Sequence, residues 1–242
     1  LLTGCVNTQE RIHKLLQTNS AAKVKKDYKE LLTSLIIFKH KLNLRNPKNY
    51  DKKLSTIINK DITALRNSTK LEVNNKLLNS YSDYLTYAFS KDSKIINRND
   101  LLILGIYKQI YEAYEIKKGH QITALSYDID KLQKLYYNLN SMKWRIKSYK
   151  DENNNYLFLT WQKNWQIELQ KNIDSGKKPS WKMIQNLEYI KQNKETIFQS
   201  SNFSFEVLLS KMIYNVKGTL KNVGEEPVDV SIEAMKSIIL FI

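Results

Sequence analysis

Only one cysteine, three prolines and six glycines occur in the 242 residues, and each shortage narrows what the chain can be. A single cysteine cannot close a disulfide within the chain. Scarce glycine and proline predict long uninterrupted elements. No two glycines lie closer than Gly218 and Gly224, so there is no glycine-rich phosphate loop and no Gly-x-Ser-x-Gly elbow for a nucleophilic serine. Arginine is short as well: of 39 basic residues only Arg11, Arg45, Arg66, Arg98 and Arg145 carry the guanidinium that phosphate and base readers favour. Long apolar runs are missing too. The longest, LLILGIY at 101–107 and SIILFI at 237–242, fall far below the about 20 residues that a bilayer span requires.

What is present is a strongly basic, amphipathic sequence. Hydrophobic residues make up 42%, which excludes a disordered chain, and the formal charge is +15. The lysines are spread along the whole length, in pairs such as Lys25-Lys26, Lys52-Lys53, Lys117-Lys118 and Lys177-Lys178 near predicted helix ends or on polar faces. Lys, Asn, Ile and Tyr are together abundant, as AT-rich codon usage produces. Solvated helix faces therefore account for the charge, and nucleic acid is not an expected partner. The alternative use of that charge is contact with anionic headgroups or another acidic envelope polymer.

Helical spacing of apolar residues dominates, and the expected fold is mainly α, a multi-helix bundle or irregular helical array. Val24, Tyr28, Leu31, Leu32, Leu35 and Phe38 mark a first helix over 21–44, ended by RNPKN with Asn46 as the next cap and Pro47 in the following first turn. Leu54, Ile57, Ile58, Ile62 and Leu65 mark a second, and Leu71, Leu78, Tyr81, Leu85 and Phe89 a third over 70–90. A fourth, capped by Asn99 or Asp100 and stopped by Gly119, is apolar on nearly every side in its first half, so it should be central and buried. Ile122, Leu125, Ile129, Leu132, Tyr136, Leu139 and Met142 form the most regular seam. Strand formers on both sides of DENNN predict a short β-hairpin near 143–161, a continuous helix there being the alternative. Helices resume to Gly176, restart after Pro179-Ser180, and recur from Ser204 to Gly224 and from Ser231. No linker-like composition divides the chain.

Leu2-Thr3-Gly4-Cys5 contains the only thiol and is followed by the polar stretch Asn7 to Arg11. It resembles the lipobox of bacterial lipoproteins: an apolar residue, a small residue, Gly or Ala, then Cys. The resemblance implies that Cys5 receives a diacylglyceryl group and becomes the first residue after cleavage. Residues 1–4 would then be a signal-peptide remnant, 5–20 a lipidated terminus and short tether, and 21–242 a single helical domain. Each buried methylene contributes about 0.8 kcal/mol, so two or three acyl chains hold a domain where one would not. Val6 in place of Asp after the cysteine points to the outer membrane, facing the periplasm. Catalysis by Cys5 is not expected, since a terminal thiol lacks a positioned base and a sheltered pocket.

No catalytic or cofactor-binding constellation emerges elsewhere, and no cofactor or metal is expected. His13, His40 and His120 have no carboxylate or cysteine at ligand spacing. Glu112 and Glu115 lie one turn apart as in di-iron bundles, but the Glu-x-x-His pairs such bundles need are absent. Asp151, Asn153 and Asn155 occupy the first, third and fifth places of a calcium loop, yet Tyr156 stands where its glycine is required and Gln162 where its glutamate is. Asp128 and Asp130 read as helix cap and dipole partners. Aromatic residues are the remaining candidates. Tyr107, Tyr111 and Tyr114 form an i, i+4, i+7 stripe and Trp161 with Trp165 share a helical face, so these five are the expected partner-binding aromatics if they line a groove and core residues otherwise.

The sequence thus points to an envelope lipoprotein anchored by lipid, with a non-catalytic helical domain that binds another envelope protein in an assembly or scaffold role. A binding module for anionic polymer or lipid headgroups is the first alternative, and a peptidoglycan-active hydrolase the second.

Overall fold

The computed structural model describes residues 5–117, 127–160, 164–192 and 205–227, with side chains described in the same ranges apart from 5–18, 164 and 167. The chain is mainly helical with one small antiparallel sheet. Helix α1 spans Cys5–Arg45, α2 Lys52–Thr63, strand β1 Glu72–Val73, β2 Lys76–Leu77, α3 Tyr81–Ala88 and α4 Arg98–Ala113. Then follow α5 (Ile129–Ser148), α6 (Asn164–Asp174), α7 (Trp181–Gln185), α8 (Glu188–Lys191) and α9 (Phe205–Asn222).

α4 is the hub, as its all-round apolar sequence predicts. Every residue from Arg98 to Ile110 is buried, and the helix packs on α1, α2, α3 and α5. α9 lies against α1 and α5. The stripe Val24, Tyr28, Leu31, Leu35, Phe38 and Leu42 of α1 enters the same core as Leu132, Leu135, Leu139 and Met142 of α5 and Leu209, Met212, Val216 and Leu220 of α9. Close approach of α3 to α4 uses Gly105, where an added Cβ would stand 2.6 Å from Leu85 Cγ.

Several boundaries differ from the sequence expectations. α1 begins at Cys5, through the stretch 5–20 that was expected to be a tether; between Gly4 and Pro47 no glycine or proline interrupts it. Its end at Arg45 is followed by a turn holding Pro47, and the cap of α2 is Asp51, whose Oδ1 accepts from Leu54 N at 2.7 Å, not Asn46. The expected helix over 70–90 exists only as α3. Before it, Asn74 and Asn75 at φ 52° and 61° make a two-residue hairpin turn between β1 and β2, which pair Glu72 with Leu77 and Val73 with Lys76. Asparagine tolerates the left-handed region, and that local choice overrides the apolar spacing around it. Ser80 and Asp83 then close a capping box that starts α3.

Near 143–161 the polar turn forms where it was expected, but 143–148 belong to α5 and only Lys150 and Tyr156 make an antiparallel bridge. Asp151 spends its carboxylate inside this turn, Oδ1 accepting from Asn153 N at 2.9 Å and Asn155 N at 2.8 Å. Asp128 caps α5 through Lys131 N. Gly176 and Gly224, at φ 86° and 93°, follow the ends of α6 and α9, and Ser180 caps α7 as Pro179-Ser180 suggests. Glu168 on α6 receives the Glu188 and Tyr189 amides at 2.7 and 3.1 Å, fixing α8 beside it. Gly119, Ile122, Leu125 and the segment from Ser231 lie outside the described residues.

Candidate binding cleft between the first two helices

Lys39 and Asn43 stand one turn apart on α1, and Ser55 and Asn59 one turn apart on α2. Antiparallel packing turns the two pairs toward each other. Lys39 Nζ donates to Ser55 Oγ at 2.5 Å and to Asn59 Oδ1 at 3.0 Å, while Asn43 Nδ2 donates to Ser55 Oγ at 3.2 Å. These groups line a cleft of 310 Å³ together with Ile36, His40, Leu44 and Tyr50. Its floor is polar, and Ile36 and Leu44 give it an apolar wall.

Beneath the floor the network continues into α4. Asn99 Nδ2 donates to Asn43 Oδ1 at 2.9 Å and to the Asn46 carbonyl at 3.2 Å. Asp100 Oδ2 accepts from the Asp51 amide at 2.8 Å, so a residue in the first turn of α4 holds the cap of α2 in place. Asn99 and Asp100 therefore do not cap their own helix: the residue before it, Asn97, sits in the left-handed region at φ 55° and makes no side-chain cap bond. Asn46 pairs edge-on with the Leu159 backbone, Nδ2 to O at 3.1 Å and N to Oδ1 at 2.8 Å, and so ties the end of α1 to the strand-like stretch after the Asn-rich turn.

The electrostatics are those of charge removed from water. Lys39 is 3% exposed, and burial lowers its pKa, an effect that the nearby Asp100 partly opposes. Burial pushes the Asp100 carboxyl up to about 6 against the Asp51 amide and Lys39, which favour its charged form. Asp100 Oδ1 is buried and meets no hydrogen-bond partner among the described residues. Among the described residues, no carboxylate lies within 4.0 Å of Lys39 Nζ. The lysine–serine contact resembles the start of a nucleophile–base pair, but two donors already converge on Ser55 Oγ. That makes the oxygen an acceptor in this network, a geometry suited to holding a ligand.

The aromatic stripe is core. Tyr107 is buried with its hydroxyl 2.9 Å from the Asp61 carbonyl and 2.8 Å from that of Arg66, closing the C-terminal end of α2. Tyr114 is buried with its hydroxyl 2.9 Å from Thr219 Oγ1, and its ring lies 5.8 Å from that of Tyr28. Tyr111 is half-buried against the core, edge-on to Tyr107. Burial raises the pKa of both Tyr107 and Tyr114. Tyr107 and Tyr114 are thus enclosed as core residues and line no groove, because α2 and α9 cover the face they occupy. Trp165 is half-buried on α6, and Trp161 lies outside the described residues. The side chain of Cys5 also lies outside them, although its backbone is the first residue of α1. Among the described residues, the exposed aromatics are instead Trp181 at 72% and Tyr214 at 75%.

Neither Lys39, Asn43, Ser55 nor Asn59 stood out in the sequence. Their signal was there as two polar i, i+4 pairs beside apolar stripes, which alone reads as solvated surface. Among the described residues, no three His, Cys, Asp or Glu side chains gather as metal ligands, and no helix is long and apolar enough to cross a membrane. No family model, curated protein or solved structure matches the chain.

Proposed function

We propose that this chain is a lipid-anchored protein of the bacterial cell envelope whose helical domain works by binding, in an assembly or scaffold role, with the α1–α2 cleft as its binding site. The observation that carries the binding part is the cleft itself: a buried lysine and three neutral polar side chains under an opening walled by Ile36 and Leu44. Polar groups that converge in a concavity beside an apolar wall can orient a small ligand. The anchoring part rests on Leu2-Thr3-Gly4-Cys5. α1 connects the two, since the same helix begins at Cys5 and carries Lys39 and Asn43. At 1.5 Å per residue the cleft lies about 50 Å along it from the anchor, a stalk in place of a flexible tether.

Two measurements test this reading. Metabolic fatty-acid labelling in the producing cell should mark the parent chain and leave Cys5→Ala unlabelled; equal labelling would remove the anchor. A photo-crosslinker placed at Leu44 or His40 in intact cells should capture the same envelope protein from both positions and not from Tyr214 on α9. Turnover of a glycan or ester by the purified chain, abolished by one serine or acidic substitution, would overturn the binding role.

A further inference from the structure

We infer that the α1–α2 cleft takes a monocarboxylate with an apolar stem, its carboxylate seated against Lys39 and its stem on Ile36 and Leu44. The inference rests on the cleft being a binding site and adds the chemistry of what it binds. The Lys39 ammonium has three N–H groups and among the described residues meets two protein acceptors, both neutral, Ser55 Oγ and Asn59 Oδ1. It is a nearly enclosed cation at the bottom of an opening, with a donor to spare. A buried charge in that position is costly unless an opposite charge reaches it. An incoming carboxylate supplies that charge and takes the remaining N–H.

Charge count selects a monoanion. The cleft lining holds one lysine, Lys39, and Asp100 behind it already offsets part of its field. A dianionic phosphate would add twice the negative charge of a carboxylate to a site where Asp100 already opposes Lys39, so of the two the carboxylate is the better matched anion. Size and lining agree. At 310 Å³ the cleft is at the small end of ligand sites, about 300–1,000 Å³, and its two apolar wall residues suit a short aliphatic stem. Leu44 is 45% exposed, a large apolar side chain at the mouth that a stem would cover.

Such a group reaches the cleft either as a free short-chain acid or as a peptide C-terminus ending in an apolar residue. Amide signals of Asn43, Ser55 and Asn59 in the intact chain report occupancy during titration with hexanoate, with N-acetyl-alanyl-leucine, with the amide of each, and with inorganic phosphate. Saturable shifts are expected with at least one of the two acids, about tenfold weaker or absent with the amides and with phosphate. The tighter acid identifies the source. Lys39→Met should abolish the shifts. Leu44→Glu, a change at the exposed mouth that leaves the core untouched, should weaken binding about tenfold by placing a like charge beside the carboxylate. Equal affinity for acid and amide, phosphate binding as tight as either acid, or retained binding in a folded Lys39→Met chain would overturn the inference. So would the absence of binding by both acids, and if an envelope protein were still captured from Leu44 in cells, the binding role would stand while this ligand chemistry fell.

Discussion

The guanidinium of Arg98 stands over the end of α3 with Nη1 2.8 Å from the Ser90 carbonyl, and the same side chain reaches the carbonyls of Ala88 at 3.0 Å and Asp92 at 2.6 Å. One buried side chain at the start of α4 thus satisfies carbonyls both in the last turn of α3 and in the loop that follows it. Replacing it by methionine keeps the stem and strands these acceptors away from water. Arg98→Met should cost about 2–4 kcal/mol in urea denaturation. Arg98→Lys should recover little of that, because a single ammonium cannot span the fork.

Gly105 gives a test with an unusual sign. In an exposed helix interior, glycine to alanine stabilises by about 1 kcal/mol. Here the new methyl would lie 2.6 Å from both Cγ and Cδ2 of the buried Leu85 and 3.2 Å from Tyr84 Cβ, so α3 must move. Gly105→Ala should therefore destabilise, by about 1–3 kcal/mol, and by less when introduced into a Leu85→Ala chain, where the clashing side chain is gone. Thermal unfolding of the two single variants and the double one measures this directly.

These two sites also show where the sequence was legible. α4 could be read at once, because an apolar residue on every face of LLILGIY leaves no solvent side, and its complete burial follows. The stripes of α1, α5 and α9 were equally readable, since 3.6-residue spacing reports which face meets the core. What spacing does not report is a backbone preference of single residues. Asn74-Asn75 turn a stretch with helical apolar spacing into a hairpin. Nor does it report which polar residues meet: Lys39 and Ser55 are 16 positions apart and touch only because the turn at Pro47 folds α2 back along α1. The tyrosine stripe was legible as a stripe, but whether Tyr107 and Tyr114 faced a groove or a neighbour depended on α2 and α9.

The Tyr114 hydroxyl begins a short chain of hydrogen bonds from the core to the surface. It lies 2.9 Å from Thr219 Oγ1, which donates to Asp27 Oδ2 at 3.3 Å, where Asn222 Nδ2 also donates at 3.3 Å. Tyr114→Phe removes the buried member and should cost about 1 kcal/mol. Thr219→Val should cost more, since it leaves the enclosed tyrosine hydroxyl without its partner. The double variant should cost less than the sum, and additive losses in the cycle would show the contact to be energetically silent.

Asp100 makes the stability of the chain depend on pH. Burial lifts its carboxyl from the ordinary 3.8 to about 6 in the folded state, so the folded chain binds more protons than the unfolded one between those values. The sign follows: its protonated form favours folding, that advantage is complete below about pH 4, and it is lost as pH rises through about 6. A shift of this size corresponds to about 3 kcal/mol between the two limits. An asparagine in place of Asp100 is a neutral isostere whose side-chain oxygen can still accept from the Asp51 amide. Urea midpoints of the parent and of Asp100→Asn at pH 4, 5, 6 and 7 should therefore converge or cross. The variant should be the weaker chain at pH 4, where it buries an amide donor without a partner, and should gain about 2–3 kcal/mol relative to the parent by pH 7. A difference that stays constant from pH 4 to 7 would mean that Asp100 keeps an ordinary carboxylate pKa despite its burial.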